Sequence, residues 1–311
     1  MNASSLKPLN LGCAYGVRFS PDGARLAVLG NDLTLWDVAA RQKLWRGKPV
    51  PHCSAMAFSP DGSRLAVKST TGLMAVLDAA TGDVIVNFRN KKDGEGSGPA
   101  WSPCGQYIVD GSWDGRLQVR AAATGELVFA QDHPGEMLRS AYAIDAIDGA
   151  KRLLVLHGVK SVEDGQVQPP DYVTAWDWPL QAGAGRTVLL LPALQTVAAS
   201  PGGQQLAALH RADGADQLSV FALADGKLLA TTTVEQGGGI AKLTWLPDGR
   251  HLARIGKGKL QFYGWPGLAL ARELAFTYPC AVAFLPQSPL AAIGSWEKGA
   301  LIELNLNQEP Q

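Results

Sequence analysis

Phe19-Ser20-Pro21-Asp22-Gly23 decides the fold of this chain, because it returns along it. Copies stand at Phe58-Ser59-Pro60-Asp61-Gly62, Trp101-Ser102-Pro103-Cys104-Gly105, Ala199-Ser200-Pro201-Gly202-Gly203 and Trp245-Leu246-Pro247-Asp248-Gly249, with weaker ones at Ile147-Asp148-Gly149 and Phe284-Leu285-Pro286. Proline presets the backbone at the second turn position, Asp tolerates the third and glycine closes the turn, so each copy joins two antiparallel strands. With the proline column as ruler, and Ile147 standing in it once, the copies are 39, 43, 44, 54, 46 and 39 residues apart. A repeat of about 40 to 45 residues with four short strands per unit is the signature of a propeller blade. Seven anchors predict an all-β fold: a seven-bladed β-propeller of four-stranded antiparallel blades.

Within the first unit, apolar runs at Tyr15 to Phe19, Arg25 to Leu29, Leu33 to Asp37 and Lys43 to Trp45 give the four strands. The whole chain is expected to be one domain, with blades over about 14–47, 53–89, 97–131, 138–191, 194–233, 240–275 and 280–306. After Leu306 only five residues remain, too few for an outer strand of ordinary length. The N-terminal residues 5–11 are therefore expected to supply it, pairing beside Leu301 to Leu306 and closing the ring. Closure hides an edge that would otherwise invite aggregation.

Lys+Arg and Asp+Glu both total 28 in 311 residues. That balance lacks the basic excess that neutralises phosphates or holds an anionic membrane, so neither nucleic acid nor membrane is an expected partner. The opening residues Met1 to Pro8 do not form a charged-then-apolar leader, and no apolar run of about 18 residues occurs, so the expected location is cytoplasmic. Cys13, Cys53, Cys104 and Cys280 are widely spaced and form no C-x-x-C, which predicts reduced thiols. Asn2-Ala3-Ser4 reads as a chance sequon.

Phe-Ser-Pro-Asp-Gly, Gly111-Ser112-Trp113-Asp114-Gly115, Leu35-Trp36-Asp37 and Ala175-Trp176-Asp177, repeated in register along nearly the whole chain, resemble the WD-repeat family. The resemblance implies a propeller that presents a protein-binding face. In that family each blade is often tied by a hydrogen-bonded His, Ser/Thr, Asp and Trp. Here the Trp column reads Trp36, Leu77, Arg120, Trp176, Phe221, Tyr263 and Glu303, and no blade is expected to keep all four members. Apolar packing between blades is expected to replace them.

Loops within a blade alternate between two faces. Turns after first and third strands, such as Pro60-Asp61-Gly62 and Thr81-Gly82-Asp83, are minimal, whereas Asn90 to Gly98, Gly158 to Pro170 and His210 to Asp216 lengthen the opposite, top face. Long loops are where binding residues concentrate. Trp113 and Trp296 sit in matching top turns, where a rigid ring can anchor a partner or lie as a lid over the neighbouring blade. His157, His210 and Arg211 end second strands of blades 4 and 5 near the top rim. With Arg139 and Tyr278 they complete the candidate binding set. The two histidines lack a Cys or Asp/Glu at metal-motif spacing, so no metal and no cofactor is expected. Lys68, Asp110 and Arg254 interrupt apolar second strands and are expected to be paired across blades, since an unpaired buried charge costs several kcal/mol.

No Gly-x-Ser-x-Gly elbow, phosphate-cradling glycine loop, His-Glu-x-x-His or dinucleotide fingerprint is present. The innermost strands, such as Ala55 to Phe58 and Ala281 to Phe284, are mostly small and apolar, and none carries a histidine. The expectation is a non-catalytic protein, monomeric by itself, that binds another protein through its top face. The alternatives are a lactonase-like propeller hydrolase with a site at the channel mouth, and an inhibitor, immunity-type or sensor protein for one cognate partner.

Overall fold

The computed structural model describes residues 7–89, 97–145, 151–159, 170–237, 242–286, 288–304 and 306. Seven antiparallel blades form a ring, and the described residues contain no helix. Blade 1 runs through strands Gly16–Phe19, Arg25–Leu29, Leu33–Asp37 and Gln42–Gly47, in that order from the axis outward. Five further blades repeat the plan, starting from innermost strands Cys53–Phe58, Ala100–Trp101, Glu136–Asp145, Leu194–Ala199 and Lys242–Trp245. The innermost strands touch one another around the axis. The predicted Trp column is one structural column: Trp36, Leu77, Arg120, Trp176, Phe221 and Tyr263 pair with Leu26, Leu65, Ile108, Leu153, Leu206 and Leu252.

Each Ser-Pro-Asp-Gly copy builds the same turn. In blade 1 the Ser20 hydroxyl donates to Asp22 (2.5 Å), Gly23 N–H returns to Ser20 O, and Asp22 accepts from Ala24 N–H. Ser59 and Asp61 repeat this in blade 2 (2.5 Å). Gly23 adopts φ +73°, a left-handed conformation that disfavours any Cβ, and a Cβ there would also meet Leu285 of blade 7 at 2.3 Å.

Sheets in a ring have two buried faces, which is why second strands read as continuous apolar runs rather than alternating ones. Ala27, Leu29 and Leu35 pack on Met56, Leu65 and Val67 of blade 2, while the opposite face of blade 1, with Leu26, Val28 and Trp36, packs on Ala281, Ala292 and Leu301 of blade 7. Truncating such a buried Leu to Ala costs about 2 to 5 kcal/mol. Indoles tie blades directly: Trp101 Nε1 donates to Ala57 O (2.9 Å) and Trp245 Nε1 to Ala198 O (3.1 Å).

Ring closure uses the N-terminus as expected, but three residues further along. The closing strand is Leu9–Ala14 rather than residues 5–11, with Leu9 opposite Leu301 and Ala14 opposite Ser295. Burial of Leu11 and Ala14 in the seam between blades 7 and 1 sets this register, and Gly12 (φ +72°) provides the kink at its two irregularities. Leu290–Glu303 is continuous as a strand yet folds back on itself at Ser295 to Lys298, with Leu304 N–H donating to Pro289 O, so it fills the two middle places of blade 7.

Several expected loops need correction or fall elsewhere. His210 to Asp216 is an extended hairpin rather than an inserted loop: strands Gln205–Ala212 and Ala215–Ala222 meet at Asp213-Gly214, both at positive φ, as the tight hairpin turns require. The Ile147-Asp148-Gly149 turn, most of Asn90 to Gly98, most of Gly158 to Pro170, and Asn2-Ala3-Ser4 lie outside the described residues. All four cysteines are free, and burial pushes the Cys53 thiol up to about 12 and that of Cys280 to about 11.

Candidate functional site

Among the described residues twelve large hydrophobic side chains are exposed, and they divide by place and type. Leu44, Val84, Ile85, Leu127, Val128, Leu190, Leu228, Leu229 and Leu270 lie on the outermost strands of six blades, spread around the circumference. The remaining three, Trp113, Tyr278 and Trp296, are aromatic and all stand on top-face connections.

Two of these aromatics share one site at the seam of blades 7 and 1. Ser295 is buried and donates to Thr277 O (2.7 Å) while accepting from Glu297 and Lys298 N–H, which fixes the turn that carries Trp296. Trp296 N–H donates to Tyr278 O, so both aromatics ride on one hydrogen-bonded frame. Tyr278, at φ +45°, is 63% exposed and Trp296 51%. The Trp296 ring stacks on Tyr15 with centroids 5.2 Å apart. Tyr15 is anchored by its hydroxyl on Cys53 O (2.9 Å), and burial followed by the neighbouring Cys53 and Cys13 raises its pKa. The result is a preorganised aromatic platform. Trp113 stands on the matching turn of blade 3, held by Ser112 and Asp114, and a Cβ on Gly115 would strike His133 O.

The rim over blades 4 and 5 is built differently. His157, expected at the surface, is fully buried. The Trp176 indole can only donate, so Thr174 Oγ1 accepts from it (2.8 Å) and passes its own proton to His157 Nε2 (2.8 Å); His157 Nδ1–H then donates to Glu136 Oε2 (2.8 Å). Glu136 Oε1 accepts from the Tyr172 hydroxyl (2.6 Å). Blade 4 thus holds a Trp-Thr-His-acid chain, with Glu136 where the family's set has Asp. It escapes a column reading because its histidine comes from the second strand and its acid from the start of the first.

Glu136, at the start of the blade's first strand, and His133, just before it, approach His157 at a chain distance that shows no metal-motif spacing. His133, Glu136 and His157 are the one convergence of three potential metal ligands among the described residues. Both His157 nitrogens and both Glu136 oxygens are already satisfied within the protein, so the donor set closes without an ion. Burial lowers the His157 pKa against the opposing pull of Glu136, which keeps the ring neutral.

The other rim candidates also turn inward. His210 is buried, bonds Ser219 Oγ (2.9 Å), and has its pKa lowered by burial. No contact joins it to His157 among the described residues. Arg211 donates to Asp216 (3.2 Å) and Arg139 to Leu194 O (2.8 Å), with Asp171 3.7 Å away. Asp216 further accepts from Gln195 and Gly237 N–H and lies 4.0 Å from buried Arg254, itself bonded to Gln261 Oε1 and Glu235 O. Burial pushes the Asp216 carboxyl up, but Gly237 and Arg211 outweigh it and hold it below its ordinary range. Lys68 and Asp110 form the second cross-blade pair (2.6 Å), with Lys68 also on Ser97 O and Gly111 O. The pairing expected of these interrupting charges is therefore present.

A cavity of about 350 Å³ opens on the opposite face between blades 7 and 1, where Leu285, Leu290, Leu301 and Val38 line it with Arg41 as its one charged group.

The model of the family described as WD domain, G-beta repeat, matches residues 98–119, the Gly98 to Val119 stretch of blade 3. Together with the seven-bladed ring closed by its N-terminal strand, this match supports a WD-repeat propeller family. Among solved structures, a chain of Kuenenia stuttgartiensis hydrazine synthase superposes with a TM-score of 0.74, covering 99% of both chains at 16% identity. That likeness shows the shared fold alone. A search of curated protein sequences finds no match.

Proposed function

We propose that the chain is a non-catalytic platform that binds a partner protein through its top face, centred on Trp296 and Tyr278 where blade 7 meets blade 1. The observation that carries this reading is the segregation of exposed aromatics: all three stand on the top face, and two sit on one rigid frame backed by Tyr15. Rigid aromatic rings contribute large contact area at small entropic cost, and such anchors dominate protein interfaces. The charged and imidazole groups of the rim over blades 4 and 5 are spent on internal pairs, which moves the centre of the proposed interface away from them. Trp113 then belongs to its far side or to a second contact.

The test is partner binding by titration calorimetry with Trp296→Ala, Tyr278→Ala and Trp113→Ala. The first two are expected to weaken binding by about 1 to 3 kcal/mol each. Wild-type affinity in both would refute the placement.

A further inference from the structure

An innermost propeller strand borders its second strand on one edge and the ring axis on the other, so a side chain there that meets solvent meets it in the central channel. Among the described residues of the seven innermost strands, three are exposed: Arg18, Ser54 and Lys242. Two of the three are cations. Register shows how unusual they are. Positions equivalent to Arg18 hold Ala57, Ala100, Tyr142, Ala198, Thr244 and Ala283. Positions equivalent to Lys242 hold Gly16, Ala55, Ser140, Thr196 and Ala281. Each layer thus carries a single positive charge: the Lys242 layer is otherwise Gly, Ala, Ser and Thr, the Arg18 layer Ala and Thr with Tyr142 in blade 4, and the layers lie two residues apart along the strand, about 7 Å.

Neither cation has a carboxylate partner among the described residues. Arg18 Nη1 donates to Val17 O (2.9 Å), which leaves most of its N–H donors for something else. The Arg18 side chain meets solvent inside the ring, and partial desolvation by the surrounding protein lowers its pKa. For Lys242 burial lowers the pKa first and the nearby Arg18 lowers it further. Elsewhere in this chain, buried cations are matched: Lys68 by Asp110, Arg254 by Asp216. Two like charges facing one channel, with no carboxylate partner among the described residues, oppose folding, and their cost is relieved by an anion seated between them.

We propose that the central channel is a binding site for a small phosphate-like dianion, held by Arg18 from blade 1 and Lys242 from blade 6. A dianion matches the two charges, the Arg18 fork suits the geometry of an oxyanion, and the Gly, Ala, Ser and Thr residues of the Lys242 layer leave space beside them. This site is separate from the aromatic platform and does not depend on it.

The test is binding of inorganic phosphate to the full chain, followed by 31P NMR and calorimetry at constant ionic strength with chloride as the replaced ion. Saturable binding of one phosphate per chain is expected, weakened about ten- to a hundredfold by Arg18→Gln or Lys242→Gln and abolished in the double variant, with Arg18→Lys retaining part of it. In phosphate-free chloride buffer both single variants are expected to melt at or above the wild-type temperature, because mutual repulsion is gone. The proposal fails if wild type shows no saturable binding or if the double variant binds as wild type does. It also fails if the single variants unfold in chloride, since the cations would then be structural.

Discussion

The rim over blades 4 and 5 and the seam of blades 7 and 1 both present residues suited to binding, yet the fold uses them in opposite ways. On the rim, His157, His210, Arg139 and Arg211 are drawn into hydrogen bonds with Glu136, Ser219, Leu194 and Asp216. On the seam, Trp296 and Tyr278 contribute backbone groups to the frame and leave their rings outside. The difference is one of chemistry. A group with several polar atoms beside long second strands finds internal partners, and a buried polar group must be satisfied. An aromatic ring on a turn already closed by Ser295 has no such demand. The polar residues at these strand ends are therefore internal ties, and the exposed aromatics are the groups left for the proposed contact surface.

The largest effect that sharpens this contrast is expected from Asp216→Ala. Removing it leaves Arg254 buried without its acid and frees Gln195 and Gly237, so unfolding free energy in urea should fall by about 3 to 5 kcal/mol. A loss below about 1 kcal/mol would show that the rim network is not structural. Thr174→Val comes next. It removes the only acceptor of the Trp176 indole and the partner of His157, for an expected loss of about 1 to 3 kcal/mol.

The same network imposes a pH dependence. Burial holds His157 and His210 below the ordinary imidazole value of 6.5, so the unfolded chain takes up protons first as pH falls. Stability should be complete above about pH 6.5 and decline below it, down to the depressed folded-state values. Unfolding followed between pH 8 and 5 checks this, and a flat profile in that window contradicts the buried neutral rings.

On the seam the expected pattern inverts: Trp296→Ala should leave the melting temperature near wild type while weakening partner binding. The smallest effect belongs to the opposite face. Asp61 is held at a pKa of about 2, first by the Ser59 hydroxyl and then by Ser63, so its contribution is present above the ordinary carboxylate range and fades as pH falls toward 2. Asp61→Ala should cost under about 1 kcal/mol in stability and leave partner binding unchanged.

Much of this architecture is legible in the sequence because turn chemistry is local. Ser20-Pro21-Asp22-Gly23 forms its bonds within six residues, so its recurrence marks every blade it stands in, and pairing of the N-terminal strand in blade 7 closes the ring. The register of that closure is not local. It depends on Leu11 and Ala14 finding the blade 7 core, which shifts the closing strand to Leu9–Ala14. Lys68 and Asp110 are recognisable as charges needing partners, but only the ring brings them together over 42 residues. The Trp176-Thr174-His157-Glu136 chain is hidden for the same reason. Arg18 and Lys242 look like ordinary polar residues of short strands until the register shows that no other blade places a charge in their layers.

The central claim, that the top-face aromatics of blades 7 and 1 recognise a protein, is tested most directly by comparative affinity capture from the native cell. Wild-type chain, Asp61→Ala and the Trp296→Ala/Tyr278→Ala double variant would be immobilised in equal amounts, and retained proteins quantified by mass spectrometry. The account predicts one protein enriched on wild type and on Asp61→Ala to the same extent, and lost from the double variant while that variant's melting temperature stays at the wild-type value. Equal retention by the double variant, or loss on Asp61→Ala instead, would contradict it.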